Sequence, residues 1–411
     1  MKTNRTIPQY QRSFQIIKDH TQEVREIVES KLRGAALAMV EGLFLEEIEK
    51  LCGPKFSRKK EELCHRGGSD PGSVILQGQR VQVSKPRLKR EGEEIGLQTY
   101  SALQGYDLLS ERVKNHMLAG VSTREYDDLL EDVQGGLGLS KSTVSRAFLR
   151  GSKQCLEEIN NRDLTAHDFI SIMVDGIGVG ERCVIVALGI TDKGKKLLIG
   201  LREGDTENWE VCRDMFQSLI ARGLKTQYPI LFVTDGSKAL KKAIRKVFGE
   251  RYPIQRCVRH KERNIIGYLS HGYHMEFRRR WKRLHGSADY GIAKREYEQL
   301  VEWLGHINHS ALTSLEEAEM ETLTVIKLSV PRPLRQTLLS TNPIESAFSM
   351  AKPKMARVKN WKSGTDQISR WVAATLLNAE KKFRPLRGYK EIPILVNELK
   401  KLQLENNVEV A

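Results

Sequence analysis

Apolar and polar positions are most sharply patterned from Ser171 onward, in the stretch SIMVDGIGVGERCVIVALGITDKGKKLLIGLREG. Three short runs rich in β-branched and apolar residues lie here, Ile170 to Val174, Cys183 to Ile190 and Lys196 to Leu201, separated by Gly-rich or Asp-Lys-Gly turn signals. The pattern predicts three antiparallel strands joined by tight connections, the first ending at Asp175-Gly176. The period then changes. After a capped start at Asp205-Thr206-Glu207, the residues Trp209, Cys212, Met215, Phe216 and Leu219 recur at helical spacing and predict a helix from Asn208 to about Arg222. The stretch PILFVTDG, beginning at Pro229 and ending in Asp235-Gly236, reads as a fourth strand. Ser237 to Phe248 reads as a second helix, and Ile254 to Val258 as a short fifth strand.

Elsewhere the pattern is mainly helical. Residues 1–63 form an N-terminal helical region with apolar faces from Ile16, Ile17, Val24, Ile27, Val28 and Ala35 to Val40, read as a packing or dimerisation segment. Residues 64–104 are a β-hairpin and basic linker: Ser73 to Leu76 and Arg80 to Val83 flank Gln77-Gly78-Gln79, and Lys85 to Arg90 follow as a basic tail. In residues 105–166, Ser122-x-x-Glu125 is a capping box opening a helix through Val133. A Gly-rich loop and a second helix, Lys141 to Arg150, complete a helix-turn-helix candidate. Lys141, Ser142, Thr143, Ser145, Arg146 and Arg150 would meet DNA while Val144 and Phe148 point inward; a structural helical hairpin would share much of this pattern. Residues 270–328 read as a helical insertion, with Phe277, Trp281 and a run of arginines, then an acidic run near Glu316 to Glu321. Its basic helix either contacts phosphates and stacks Trp281 on an unpaired base or buries Trp281 in a local core.

Three strands, a helix, a strand, a helix and a strand is the order of an α/β RNase H-like core, here assigned to residues 167–269 and 329–388. Two of its strands end in aspartates, Asp175 and Asp235. Asp-Gly after a strand is commonly only a turn. Paired carboxylates on neighbouring strands are also what a two-metal phosphoryl-transfer site requires, since both must reach cations about 3.5–4 Å apart.

Beyond this pattern the chain resembles the IS256/Mutator-type transposases with a DDE active site. The matching stretches are VDG with Asp175, Glu207-x-Trp209, RGL from Arg222 to Leu224, TDG with Asp235, QRCVRHKERNI from Gln255 to Ile265, and STNPIES from Ser340 to Ser346. The resemblance implies that Asp175, Asp235 and Glu345 are the catalytic triad and ligands of two Mg²⁺ or Mn²⁺ ions, hard cations that favour carboxylate oxygens. It also implies a helical insertion between the second and third acids. The activity implied is Mg²⁺-dependent cleavage of DNA at terminal inverted repeats and transfer of the 3′ ends to target DNA, by a dimer or higher oligomer. Copying through a circular intermediate is the route the resemblance suggests. The rival readings are an RNase H-like nuclease without strand transfer and a transposase-derived DNA-binding protein.

Two of the motif residues carry a second meaning in the sequence. Asn342-Pro343-Ile344-Glu345 has the form of a capping box with Asn342 as N-cap and Glu345 at the third helical position, so Glu345 is a helix cap, a metal ligand, or both. Pro353, about ten residues on, should kink or end that helix. Cys257 and His260 match the family's Cys-x2-His signature; with His271 and His274 they spell C-x2-H-x10-H-x2-H, a spacing that suits tetrahedral zinc, although the resemblance covers only the first pair. Arg259, Arg263 and Asn264 either bind phosphates or line a helix surface. Cys52, Cys64 and His65 lack the paired spacing of a structural zinc site and read as two spare thiols.

Composition narrows the setting. The 411 residues carry a net charge of +15, with 40% hydrophobic content, and the pI is near 9.4. A folded, multi-domain protein with a polyanionic partner is expected. From Arg332 to Lys390 there are 13 basic residues against three acidic ones. Lys352, Lys354 and Arg357, with Lys359 and Lys362, would form a DNA track beside Glu345. Residues 389–411 read as a peripheral tail. No apolar run is long enough to span a membrane, the six cysteines form no disulfide framework, and the N-terminus lacks a signal-peptide core. A cytoplasmic, nucleoid-associated bacterial or archaeal protein is expected.

Overall fold

The computed structural model describes residues 34–55, 64–76, 79–104, 106–120, 136–137, 141–204, 208–362 and 364–409, together with residues 27 and 31. The chain is mixed α/β and divides into two compact units, residues 1–117 with 121–148, and residues 118–120 with 149–411.

In the first unit a helix over residues 34–52 (α1) lies on a hairpin of β1 (Cys64–Leu76) and β2 (Gln79–Arg90). Val40, Phe44, Ile48 and Cys52 recur every fourth residue along one face of α1 and pack against Cys64, Val74, Val83, Leu88 and Leu97. Ala35, Ala38 and Met39, expected on an apolar face, are exposed. The basic run Lys85 to Arg90 is not a linker. It belongs to β2, paired with β1 from Cys64↔Arg90 to Leu76↔Gln79, and it is extended by β3 (Glu93–Ile95) through Leu88↔Ile95. Leu88 is fully buried, so its apolar side chain holds the basic run in the sheet while its charged neighbours line the surface. The Sγ atoms of Cys52 and Cys64 face each other in this core at 2.6 Å, whereas His65 is exposed. Short helices α2 (Gln98–Leu103) and α3 (Tyr106–Ala119) follow, with a two-residue strand β4 (Gly136–Leu137) against β2.

The expected first helix of the helix-turn-helix lies outside the described residues. The second, α4, runs from Lys141 to Asn161, eleven residues past its expected end. Gly151 is buried inside it, and apolar positions continue at Cys155 and Ile159.

The second unit is built on a five-stranded sheet of β5 (Phe169–Val179), β6 (Arg182–Thr191), β7 (Lys196–Glu203), β8 (Leu231–Thr234) and β9 (Ile254–Arg256), in spatial order β7-β6-β5-β8-β9. The first three strands are antiparallel; β8 and β9 run parallel to β5. Strand β5 does not end at Asp175. Its pairing with β6 continues through Asp175↔Val186 to Val179↔Arg182, while its pairing with β8 stops at Val174↔Thr234. The apparent strand end is therefore the place where one neighbour stops.

Helices α5 (Trp209–Ala221) and α6 (Lys238–Phe248) cover one face of the sheet, burying Met215, Phe216, Leu240 and Ile244 against Ile172, Val174, Ile185 and Phe232. The N-cap of α5 is Asn208, whose side chain accepts from the backbone of Glu210 and Val211; the expected cap at 205–207 lies outside the described residues. Arg222 of the RGL motif ties this layer together, donating to the carbonyls of Ile159 and Ile199. Between β9 and the last helices stand α7 (Val258–Ile266), α8 (His274–His285), α9 (Tyr290–Ile307), α10 (His309–Glu316), α11 (Thr324–Lys327) and α12 (Arg332–Leu338). Helices α13 (Asn342–Met355) and α14 (Gln367–Glu380) pack on β5 and β7. The C-terminal segment is no peripheral tail: in α15 (Ile392–Glu409) Ile392, Leu395 and Leu399 form a buried stripe at helical spacing.

Candidate active site

Side chains alternate across a strand, so Ile172 and Val174, which face α5 and α6, put Met173 and Asp175 on the opposite face, where α13 packs on β5. Asp235 directly follows Thr234, the residue paired with Val174. The two aspartates thus stand at corresponding positions of neighbouring parallel strands. Each is held by its own turn: the Gly176 N–H donates to Asp175 Oδ1 at 2.8 Å, and the Ser237 N–H to Asp235 Oδ1 at 3.0 Å. Gly236, inside the second of these turns, has φ +102, and an added Cβ there would lie 2.0 Å from Arg256 Nε. Only glycine fits that turn.

Glu345 comes from the first turn of α13. The helix begins one residue earlier than its sequence suggests, with Thr341 as N-cap and no side-chain capping bond. The capping box is therefore absent. Glu345 N–H makes an ordinary helical bond to the Thr341 carbonyl at 3.0 Å, and its carboxylate turns instead to His260, 3.5 Å away, and Arg263, 3.8 Å away. Thr341 is occupied elsewhere: its N–H and Oγ1 both donate to Cys257 Sγ at 3.4 Å, and Oγ1 also lies 3.4 Å from Glu345 Oε1. Pro353 does end the helix, which closes two residues later at Met355.

Cys257, at the start of α7, and His260, within it, stand beside the acids. Cys257 caps α7 at its N-terminus and is fully buried, its N–H donating to the Thr234 carbonyl at 2.7 Å. Among the described residues Cys257, His260 and Glu345 form the one group of three donors close enough to share a metal ion, within 4.8 Å of one another. His271 and His274 do not complete a zinc set, and His274 Nε2 instead meets the Leu269 carbonyl at 2.9 Å.

The electrostatics of this cluster are strongly coupled. Burial pushes Asp175 up to about 6, against the pull of His260, and the charge of Asp235 adds to the rise. His260 is raised to about 9, first by its interaction with the Cys257 sulfur, against burial, and then by the charges of Cys257, Asp175 and Glu345. Burial pushes the Cys257 thiol up, but hydrogen bonding with His260 and Thr341 outweighs it and leaves the thiol below its usual range. At neutral pH a cationic imidazole therefore faces the acids.

A network unseen in the sequence braces this cluster. Arg256 and Lys261, both buried, reach Glu317 at 3.2 and 2.9 Å, and Lys261 also donates to the Ser314 carbonyl. Gln255, fully buried, donates to the carbonyls of Arg256 and Thr322 and accepts from Val325 N–H. Polar residues clustered in QRCVRHKERNI were the available signal; what they would grip, the acidic run at residues 316–321, is too far along the chain for spacing to pair them.

The family described as "Transposase, Mutator family" matches residues 9–385. The chain belongs to that family. Its relatives include the transposase for insertion sequence element IS6120 of Mycolicibacterium smegmatis, 28% identical over 57% of this chain and 73% of the relative. The transposase for IS1201 of Lactobacillus helveticus is 27% identical over 71% and 78%. The transposase for IS256 in transposon Tn4001 of Staphylococcus aureus is 29% identical over 45% and 48%.

The remaining expected contacts are more dispersed. On α4, Lys141, Ser142, Ser145, Arg146 and Arg150 are exposed and Thr143 half-buried, while Val144 and Phe148 are buried as expected. Lys352 and Arg357 are exposed; Lys354 is half-buried and donates to Asn378. Trp281 is 4% exposed and stacked on Phe277 with ring centroids 5.5 Å apart, so it is a core residue and not a platform for an unpaired base. Glu207 lies outside the described residues. The charged groups of Arg213 and Lys242 lie 5.0 and 4.3 Å from the ring centroid of its motif partner Trp209. No helix among the described residues is long and apolar enough to cross a membrane.

Proposed function

We propose that this chain is a DDE transposase of an insertion sequence, binding the terminal inverted repeats of its element and cutting and joining DNA strands by in-line attack at phosphorus. The sheet order β7-β6-β5-β8-β9, with one antiparallel meander and two parallel strands, supports an RNase H-like core. The observation that carries the reading is the direction of Glu345: released from capping, it turns toward His260, which is electrostatically coupled to Asp175.

Asp175, Asp235 and Glu345 supply the hard oxygen donors that Mg²⁺ or Mn²⁺ favour, and buried Asp175 beside Asp235 forms a pair whose desolvation and mutual repulsion a divalent cation would relieve. Two such ions, when bound, would activate the attacking oxygen and stabilise the departing 3′ oxygen. The chain's own groups do the rest. The Gly176 and Ser237 amides orient the two aspartates. Cys257 and Thr341 hold His260 and Glu345 in place, and His260 and Arg263 put positive charge beside the third acid. The helix-turn-helix candidate and Lys352, Lys354 and Arg357, on and just past α13, are the proposed DNA contacts, and a dimer or higher oligomer is the proposed working form.

The reading is tested with a labelled duplex carrying the element's ends and a target plasmid, with and without Mg²⁺. Joined products support it. Cut ends without joining would make the protein a nuclease, and binding without any cleavage would leave a DNA-binding protein.

A further inference from the structure

A cleft of about 390 Å³ opens on the side of α7 that carries Arg259 and Glu262, walled by α8 and by α12. Arg259, Arg278, Lys282, Arg332 and Arg335 line it, against one acid, Glu262, which Arg278 already engages at 3.5 Å. Arg335 is 6% exposed and has no hydrogen-bond or ion-pair partner for its side chain among the described residues. Other buried cations of this unit are matched. Lys261 and Arg256 have Glu317, Arg370 has Asp366 and Ser152, and half-buried Arg222 also has backbone carbonyls. The Trp281 indole N–H, also on the wall, is a buried donor without an acceptor among the described residues.

A guanidinium with little access to water and no counter-charge is unfavourable, and like charges around one cleft repel. Burial, and then the neighbouring Arg332, hold Arg335 below its usual range. Both penalties are removed by an anion, and planar arginine forks match the oxygens of a phosphate. Helix α7 links the cleft to the acids: Arg259 and Glu262 line the cleft, while His260 and Arg263 of the same helix lie against Glu345.

We propose that this cleft is a phosphate-binding site for the DNA backbone, with Arg335 as its floor, gripping a phosphate outside the carboxylate cluster. The proposal rests on the DNA-transposase reading, since the DNA strand held at Arg335 is the one offered to the acids.

The test uses the full chain, as wild type, Arg335→Met, Arg332→Gln and Lys282→Gln. Melting is followed in sodium phosphate and in sodium chloride at equal ionic strength, and binding of a fluorescent duplex is followed across a salt series. Phosphate should raise the melting temperature of wild type but not of Arg335→Met, which should melt no lower than wild type in chloride because it loses an unmatched charge. The slope of log affinity against log salt should shrink by about 1 for each backbone phosphate that a variant no longer grips. Arg332→Gln and Lys282→Gln, at exposed positions, carry the same readings if Arg335→Met does not fold.

No stabilisation of wild type by phosphate would overturn the proposal. So would Arg335→Met that melts lower in chloride yet keeps the phosphate gain and the full salt slope, since that residue would be structural. Loss of the phosphate gain with an unchanged DNA slope would mean a site for free phosphate and would overturn the DNA assignment. Strand joining by the same wild-type preparation tests the transposase reading separately.

Discussion

At Asp175 a carboxylate only 6% exposed shares its surroundings with a second acid, and burial raises it from 3.8 to about 6. The folded protein then keeps a proton that the unfolded chain has released, so Asp175 favours folding below about pH 4 and this contribution is lost as the pH rises through 6. In metal-free protein Asp175→Asn should therefore raise stability at pH 7 by up to about 3 kcal/mol, and by little at pH 3.5, as read from urea melts. Adding Mg²⁺ should reverse the order, stabilising wild type and leaving the variant unmoved. His260 has the opposite consequence. Raised from 6.5 to about 9, it contributes stability that is complete below pH 6.5 and lost as the pH rises through 9. The melting temperature of the metal-free protein should fall across that window, and His260→Gln should flatten the fall.

At the scale of elements, strands and helices build the site by their register and by where they begin. Gly236→Ala puts a Cβ against Arg256 at a positive φ and should lower stability by about 1–3 kcal/mol in thermal melts, with loss of activity because Asp235 is on the same turn. Glu317→Ala leaves Lys261, fully buried, with only the Ser314 carbonyl and should cost about 2 kcal/mol, less than a sealed pair because Glu317 is 38% exposed. The strands of the second unit were legible because β-branched runs and turn residues are local signals. The extent of β5 was not, because Asp175 ends one pairing and continues another. The start of α13 differs by one residue from its sequence pattern: Ser340, Thr341 and Asn342 are all acceptable caps, and the choice is made by packing of Thr341 on Cys257, 84 positions away. The acids themselves are legible as motifs; their support by Gln255, Arg256, Lys261 and Glu317 required the folded chain. In the same way α15 is buried by partners that no local pattern names.

At the scale of the whole molecule, a net charge of +15 suits a polyanionic partner, and the exposed Lys352, on the helix that carries Glu345, and Arg357, just past its end, extend that charge. Replacing both by Gln should weaken duplex binding at every sequence tested and reduce the salt slope by about 2 if each meets one phosphate, measured by fluorescence anisotropy. The most direct test of the account is single-turnover cleavage and joining of DNA carrying the element's ends, with Glu345→Gln beside wild type. Glutamine preserves the size and polarity of the side chain but is a poor ligand for a hard cation. The account predicts that Glu345→Gln folds and binds DNA as wild type does, yet cuts and joins about a thousandfold more slowly or worse. A variant that cuts and joins at the wild-type rate would contradict it, because the third acid would then lie elsewhere in the chain.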